Sequence, residues 1–98
     1  MSYLVHWSNK ALNDLQRVYD FLSEKNEDAA IEAFKTIRQA AIFLENFPGA
    51  GRPATDLDPE HREIVVPFGV SGYVFVYEVN ENQEILILAL KHQKEAGY

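Results

Sequence analysis

Apolar residues in this chain follow two different spacings, and each spacing marks a different kind of element. Tyr3 to Trp7 is a short run of β-forming residues and predicts a first strand. Ser8 then offers a hydroxyl as a helix N-cap. Leu12, Leu15, Val18, Tyr19 and Leu22 follow at three- and four-residue steps, which line one side of a helix predicted from Asn9 to Lys25. Asp14, Arg17, Asp20 and Glu24 fall on its other side. Asn26-Glu27-Asp28 breaks this pattern and supplies cap residues for a second helix. Its stripe is Ala30, Ala33, Phe34, Ile37, Ala40, Ala41 and Leu44, whose alanines allow close approach of a neighbour. Ile42, Phe43 and Phe47 widen the apolar surface beyond one stripe. That excess predicts either a helix covered on two sides or a patch left for a partner. The short link makes the two helices an antiparallel hairpin.

Pro48-Gly49-Ala50-Gly51-Arg52-Pro53 ends the helical pattern and opens a connector, which carries an acidic run at Asp56, Asp58 and Glu60. After it the period becomes two. Arg62 to Pro67 predicts a second strand, and Phe68-Gly69-Val70-Ser71-Gly72 a turn. On the third strand Tyr73, Phe75, Tyr77 and Val79 share a face, with Val74 and Val76 opposite. Asn80-Glu81-Asn82-Gln83 is a hairpin loop. On the fourth strand Leu86, Leu88, Leu90 and His92 oppose Ile85, Ile87, Ala89 and Lys91; both faces are apolar up to Lys91, so the strand is predicted to be central. The fold class is therefore α+β, β-α-α-β-β-β, an antiparallel sheet covered on one face by an antiparallel two-helix hairpin. The first strand pairs at the sheet's edge or within it.

Ninety-eight residues make a single domain, 1–98, with a modest core. The net charge of −6 withholds the counterion-release drive of a broad nucleic-acid face, so no direct sequence-specific nucleic-acid binding is expected. No segment approaches a membrane span or a secretory signal. The lack of cysteine excludes disulfides, thiolate metal sites and a Cys nucleophile, and it favours a cytoplasmic location. His6, His61 and His92 have no close ligand spacing, so no metal or other cofactor is expected.

The remaining chemistry is sparse. Gly49-Ala50-Gly51 lacks the Gly-Lys-Ser/Thr of a phosphate loop, and Pro53 removes an amide donor. Arg52 either clamps Asp56 or a helix carboxylate, or faces a partner. Tyr73, Phe75 and Tyr77 are the face that receives the helices, with base stacking as the alternative. Trp7 is a core anchor or a partner hot spot. His92-Gln93-Lys94-Glu95 leaves the last strand with a group able to exchange protons near neutral pH, or simply with a solvated polar tail.

The element order resembles the RelE/ParE toxin superfamily. So do Trp7-Ser8 with Ala11 and Asp14-Leu15, Gly51-Arg52-Pro53, Arg62-Glu63, Gly72-Tyr73…Tyr77 and His92 through Tyr98. The resemblance implies the toxin of a type II toxin–antitoxin, or plasmid stabilisation, pair. RelE-like members, which cut messenger RNA on the ribosome, typically carry an Arg directly after the Gly-Tyr; here Val74 stands there, and Gln93 replaces a second expected Arg. The ParE-like branch, held to inhibit DNA gyrase by binding, fits better and implies no catalytic residue. It implies antitoxin contacts at Trp7, Leu15, Tyr19, Phe43 and Phe47, and target contacts at Arg52, Arg62, His92 and Lys94. The alternatives are a ribosome-dependent endoribonuclease using His92, Lys94 and Tyr98, and a non-toxic homologue that binds antitoxin. The free protein is expected to be able to self-associate as a homodimer through its apolar helix face.

Overall fold

The computed structural model describes residues 2–54, 58 and 60–95. Seven elements follow one another: β1 (Leu4–Trp7), α1 (Asn9–Ser23), α2 (Glu27–Phe43), β2 (Arg52–Pro53), β3 (Arg62–Phe68), β4 (Ser71–Val79) and β5 (Glu84–His92). Both helix starts are set by the caps expected of them. The Ser8 side chain accepts from Ala11 N–H, and Asn26 accepts from Ala29 N–H. Glu27 and Asp28 add negative charge to the first turn of α2, where the helix dipole favours it.

The strands form one five-stranded sheet in the order β1-β5-β4-β3-β2. The pairs β2–β3, β3–β4 and β4–β5 are antiparallel, but β1 runs parallel to β5, with Leu4 opposite Glu84 and Trp7 opposite Ile87. The sheet is thus mixed at its β1 edge, where an all-antiparallel sheet was expected. No turn joins β1 to β5, since both helices and three strands lie between them, so the antiparallel direction that a hairpin would impose is not required. The edge strand β2 lies in the stretch read as connector, and its two residues pair with Arg62 and Glu63.

The two helices cover one face. Ala33, Ile37, Ala41 and Leu44 of α2 and Ala11 and Val18 of α1 meet Tyr73, Phe75, Tyr77, Ile85, Ile87 and Leu90 of the sheet in one core. The expected face of β4 is the observed one. That of β5 is not. The β4–β5 register slips at Val76/Tyr77, so that Val76 pairs with Ala89 and Tyr77 with Ile87, which leaves Leu88 as an extra residue. This bulge reverses the alternation. Ile85, Ile87 and Leu90 are buried in the core, while Leu88 is only half-buried.

Past Ile87 this edge of β5 has no strand neighbour, and α1 with its cap takes the open backbone groups. Ser8 Oγ donates to Leu88 C=O at 3.0 Å, Leu90 N–H donates to Asp14 Oδ2 at 3.0 Å, and an Arg17 guanidinium N–H reaches Leu90 C=O at 3.4 Å. Asp14 and Arg17 were expected to face solvent. They instead stand in for the strand partner that β5 lacks beyond the end of β1, because buried backbone groups must be paired.

Candidate functional site

Two concave surfaces stand out. The first lies between the outer sides of the helices. Leu12, Leu15, Tyr19, Ile31 and Phe34 line an apolar groove of about 600 Å³. Phe34 presents its ring edge-on to Tyr19, with centroids 6.5 Å apart. The groove extends toward Trp7 through a smaller hollow of about 200 Å³ that shares Leu12, Leu15 and Phe34. The surplus apolar residues Ile42, Phe43 and Phe47 lie outside this groove and are themselves exposed, so they too form an open patch and not a second covered side. Three of the expected antitoxin contacts, Trp7, Leu15 and Tyr19, come together in the groove. Phe43 and Phe47 do not. Phe43 follows Phe34 by nine residues, roughly two and a half helical turns, which puts it on the opposite side of α2. There it stacks on Phe47 at 4.7 Å, with both rings half-exposed.

The second surface is a cleft of about 610 Å³ beside the C-terminal half of α1. Val18 and Leu22 of α1 and Tyr73 of β4 form its apolar wall; Arg17, Lys25, His92 and Lys94 stand around it with Glu95. The geometry of this rim starts with His92. Its Nδ1 accepts the Lys94 backbone N–H at 3.1 Å, which leaves the proton of the neutral ring on Nε2, facing Ser71 Oγ at 2.9 Å. The ring also sits edge-on to Tyr73, with centroids 5.4 Å apart. His92 therefore pins the tail turn to the start of β4, and both of its nitrogens are occupied.

Glu95 closes the turn. One oxygen accepts from Arg17 at 2.9 Å and from His92 N–H at 3.2 Å. Burial pushes the Glu95 carboxyl up, but the hydrogen bonds from Arg17 and His92 N–H, with the charge of Arg17, outweigh it and hold the group below its usual value. The Tyr73 phenol is pushed above its usual value, first by burial and then by the charge of Glu95.

The expected target contacts do not converge. Arg62 pairs with Tyr77 and His92 with Tyr73, toward opposite ends of β4. Arg52 Nε is bonded to Glu63 at 2.7 Å, and Arg62 donates to Gly51 C=O at 2.8 Å. Arg52 is thus paired with a strand carboxylate, Glu63 of β3, and not with the helix carboxylate foreseen as one option; Asp56, the other, lies outside the described residues. So does Tyr98 of the alternative nuclease reading. Val74 pairs with Lys91 on the sheet face away from the helices and is buried. Asp58, Glu60 and His61 bring one ligand-type atom each within 4.8 Å, but both carboxylates are exposed and His61 Nε2 already faces Glu78 at 3.4 Å.

Arg17, Phe21 and Lys25 were missed as site residues, and the signal for them was weak. They sit on the polar side of α1 in the sequence, and only the return of the chain after β5 makes that side a cleft wall.

Comparison with known proteins accords with this architecture. The profile of the family described as ParE toxin of the type II toxin–antitoxin system, parDE, matches residues 5–97. The chain is 33% identical to Toxin RelE1 of Caulobacter vibrioides over 79 residues, 81% of this chain and 82% of that one. Its fold matches the chromosomal ParDE toxin–antitoxin system of P. aeruginosa with a TM-score of 0.75 at 24% identity, covering 93% of this chain and 96% of that chain. It also matches the RelBE2 toxin–antitoxin complex of Mycobacterium tuberculosis, with a TM-score of 0.67 at 17% identity over 95% and 100% of the two chains.

Proposed function

The chain belongs to the ParE toxin family of type II toxin–antitoxin systems, and from that membership we propose that it acts by gripping DNA gyrase and is neutralised by a cognate antitoxin seated in the groove between its helices. A toxin of this kind needs no bond-making group. It needs a shape that favours one conformer of its target.

The observation that carries the reading is the state of His92. Its two ring nitrogens are spent on Ser71 and Lys94, so it serves the fold of the tail where a nuclease would hold a free base. Arg52 and Arg62 are likewise engaged, in stapling β2 and the connector to β3. The open apolar groove supports the antitoxin half of the reading, since an amphipathic helix laid along it would bury Leu12, Ile31 and Phe34. A second copy of the chain is the other occupant the groove suits when the antitoxin is absent.

Two assays decide the target. Purified protein should block supercoiling by gyrase and leave transcripts intact in an in vitro translation reaction. Mapped cuts in the transcript with normal supercoiling would transfer the protein to the ribosome-dependent nucleases. Induced expression without antitoxin should arrest growth; unhindered growth with soluble protein would leave only an antitoxin-binding homologue. For the groove, Ile31→Lys should weaken antitoxin co-purification about tenfold or more while supercoiling inhibition persists.

A further inference from the structure

We propose that the cleft beside the C-terminal half of α1 is a second docking site, for an acidic peptide segment that carries an apolar or aromatic side chain. The proposal rests on the antitoxin reading, since the segment is taken to belong to that partner, but it concerns a different surface from the inter-helix groove.

Charge is the first argument. The chain holds nine Lys and Arg against fifteen Asp and Glu. Three of those cations, Arg17, Lys25 and Lys94, stand around this one hollow, with Glu95 as the single carboxylate among the described residues of its lining. Arg17 and Glu95 neutralise each other at 2.9 Å, and Arg17 also lies 3.9 Å from Asp14, so the surplus charge of the hollow is that of Lys25 and Lys94. The local sign is therefore positive on a molecule that is otherwise negative, and such a concavity draws carboxylates.

The second argument is the floor. Val18, Leu22 and the ring of Tyr73 give the cleft an apolar floor that suits an inserted aliphatic or aromatic side chain. Phe21 stands at the rim with 62% of its surface exposed, and the Lys25 ammonium sits 4.5 Å from its ring centroid. The cation and the aromatic are thus held together as one contact surface. A polynucleotide draws its affinity from many neutralised phosphates. Two surplus lysines around an apolar floor, on a chain of net charge −6, fit alternating carboxylates and apolar side chains better.

The test is selection of a phage-displayed library of random short peptides on the intact protein, with counter-selection on a Lys25→Glu/Lys94→Glu double variant. Both lysines are exposed, and circular dichroism with a melting curve checks that the variant is folded. Peptides with two or more carboxylates flanking an apolar residue should dominate. A synthetic copy of the winner should bind about tenfold or more weakly to the double variant and to Phe21→Ala, and more weakly as salt is raised. Its binding should shift the amide resonances of Tyr73 and Lys94. No enrichment, enrichment of neutral or basic peptides, or equal binding to the variants would overturn the proposal. So would a short single-stranded RNA that binds more tightly than the winning peptide and is lost in the same double variant. None of these results touches the supercoiling assay or the Ile31→Lys test, so failure here is separable from failure of the functional reading.

Discussion

The hydroxyl of Tyr77 accepts from Gly51 N–H at 2.8 Å and donates to Pro48 C=O at 2.9 Å, while the ring is fully buried. One phenol thus holds both ends of the connector that leaves α2. Gly51 is needed for it: a Cβ there would lie 2.6 Å from the Tyr77 hydroxyl and 2.6 Å from Glu63 C=O. Tyr77→Phe should cost about 1–3 kcal/mol in a denaturant titration, because it leaves a buried amide unpaired. Gly51→Ala should also destabilise, through a clash with backbone that cannot yield. Burial drives the Tyr77 phenol above its ordinary value, against the opposing pull of the Gly51 hydrogen bond and the Arg62 charge. Glu95 offers a pH test. Its folded carboxyl lies below the ordinary value of 4.5, so the stabilisation from the tail contact is complete above that value and is lost as pH falls through the lower, folded one. A carbon-13 titration of the Glu95 carboxyl should show a midpoint under 4.5, moving up in Arg17→Gln; a wild-type midpoint at or above 4.5 would contradict the contact.

Between elements, the joint of α1 with β5 is the least regular and the most informative. Leu88 and Leu90 read alike in the sequence, yet the bulge separates them: Leu90 is 1% exposed and Leu88 is half-buried. Leu90→Ala should therefore cost about 2–5 kcal/mol, and Leu88→Ala about 1 kcal/mol or less. Equal losses would place the bulge elsewhere. Asp14→Ala should cost about 1.5–3 kcal/mol, the effect of a lost hydrogen bond to a charged acceptor, with Leu90 N–H left unpaired. The helices themselves were legible, because Ser8 and Asn26 are strong caps and the apolar steps that follow them are regular. The bulge was not legible. Ile85 through Leu90 is apolar on both sides, so a one-residue slip leaves no trace in the pattern. Nor could Asp14 be assigned, since its role depends on a strand that lies seventy-six residues away.

At the scale of the molecule, the sequence led to the layer arrangement and the family but not to the pairing of β1. Strand pairing is a choice among distant partners, and Tyr3 to Trp7 is too short to declare one. The same limit applies to the sites. Trp7, Leu15 and Tyr19 lie on the periodic faces and join the groove as expected. Arg17, Phe21 and Lys25 acquire their setting only when Tyr73 and His92 arrive beside them.

The parallel strand pair sets a condition on synthesis. Leu4 waits for Glu84, so nearly the whole chain must be made before the edge strand finds its neighbour. Until then α1 lacks the strand whose backbone Ser8 and Asp14 hold, and the core it shares with Ile85, Ile87 and Leu90 remains open to water. A chain cut short before β5 therefore lacks both the neighbour of β1 and a strand of the core, and the fold closes in a single late step.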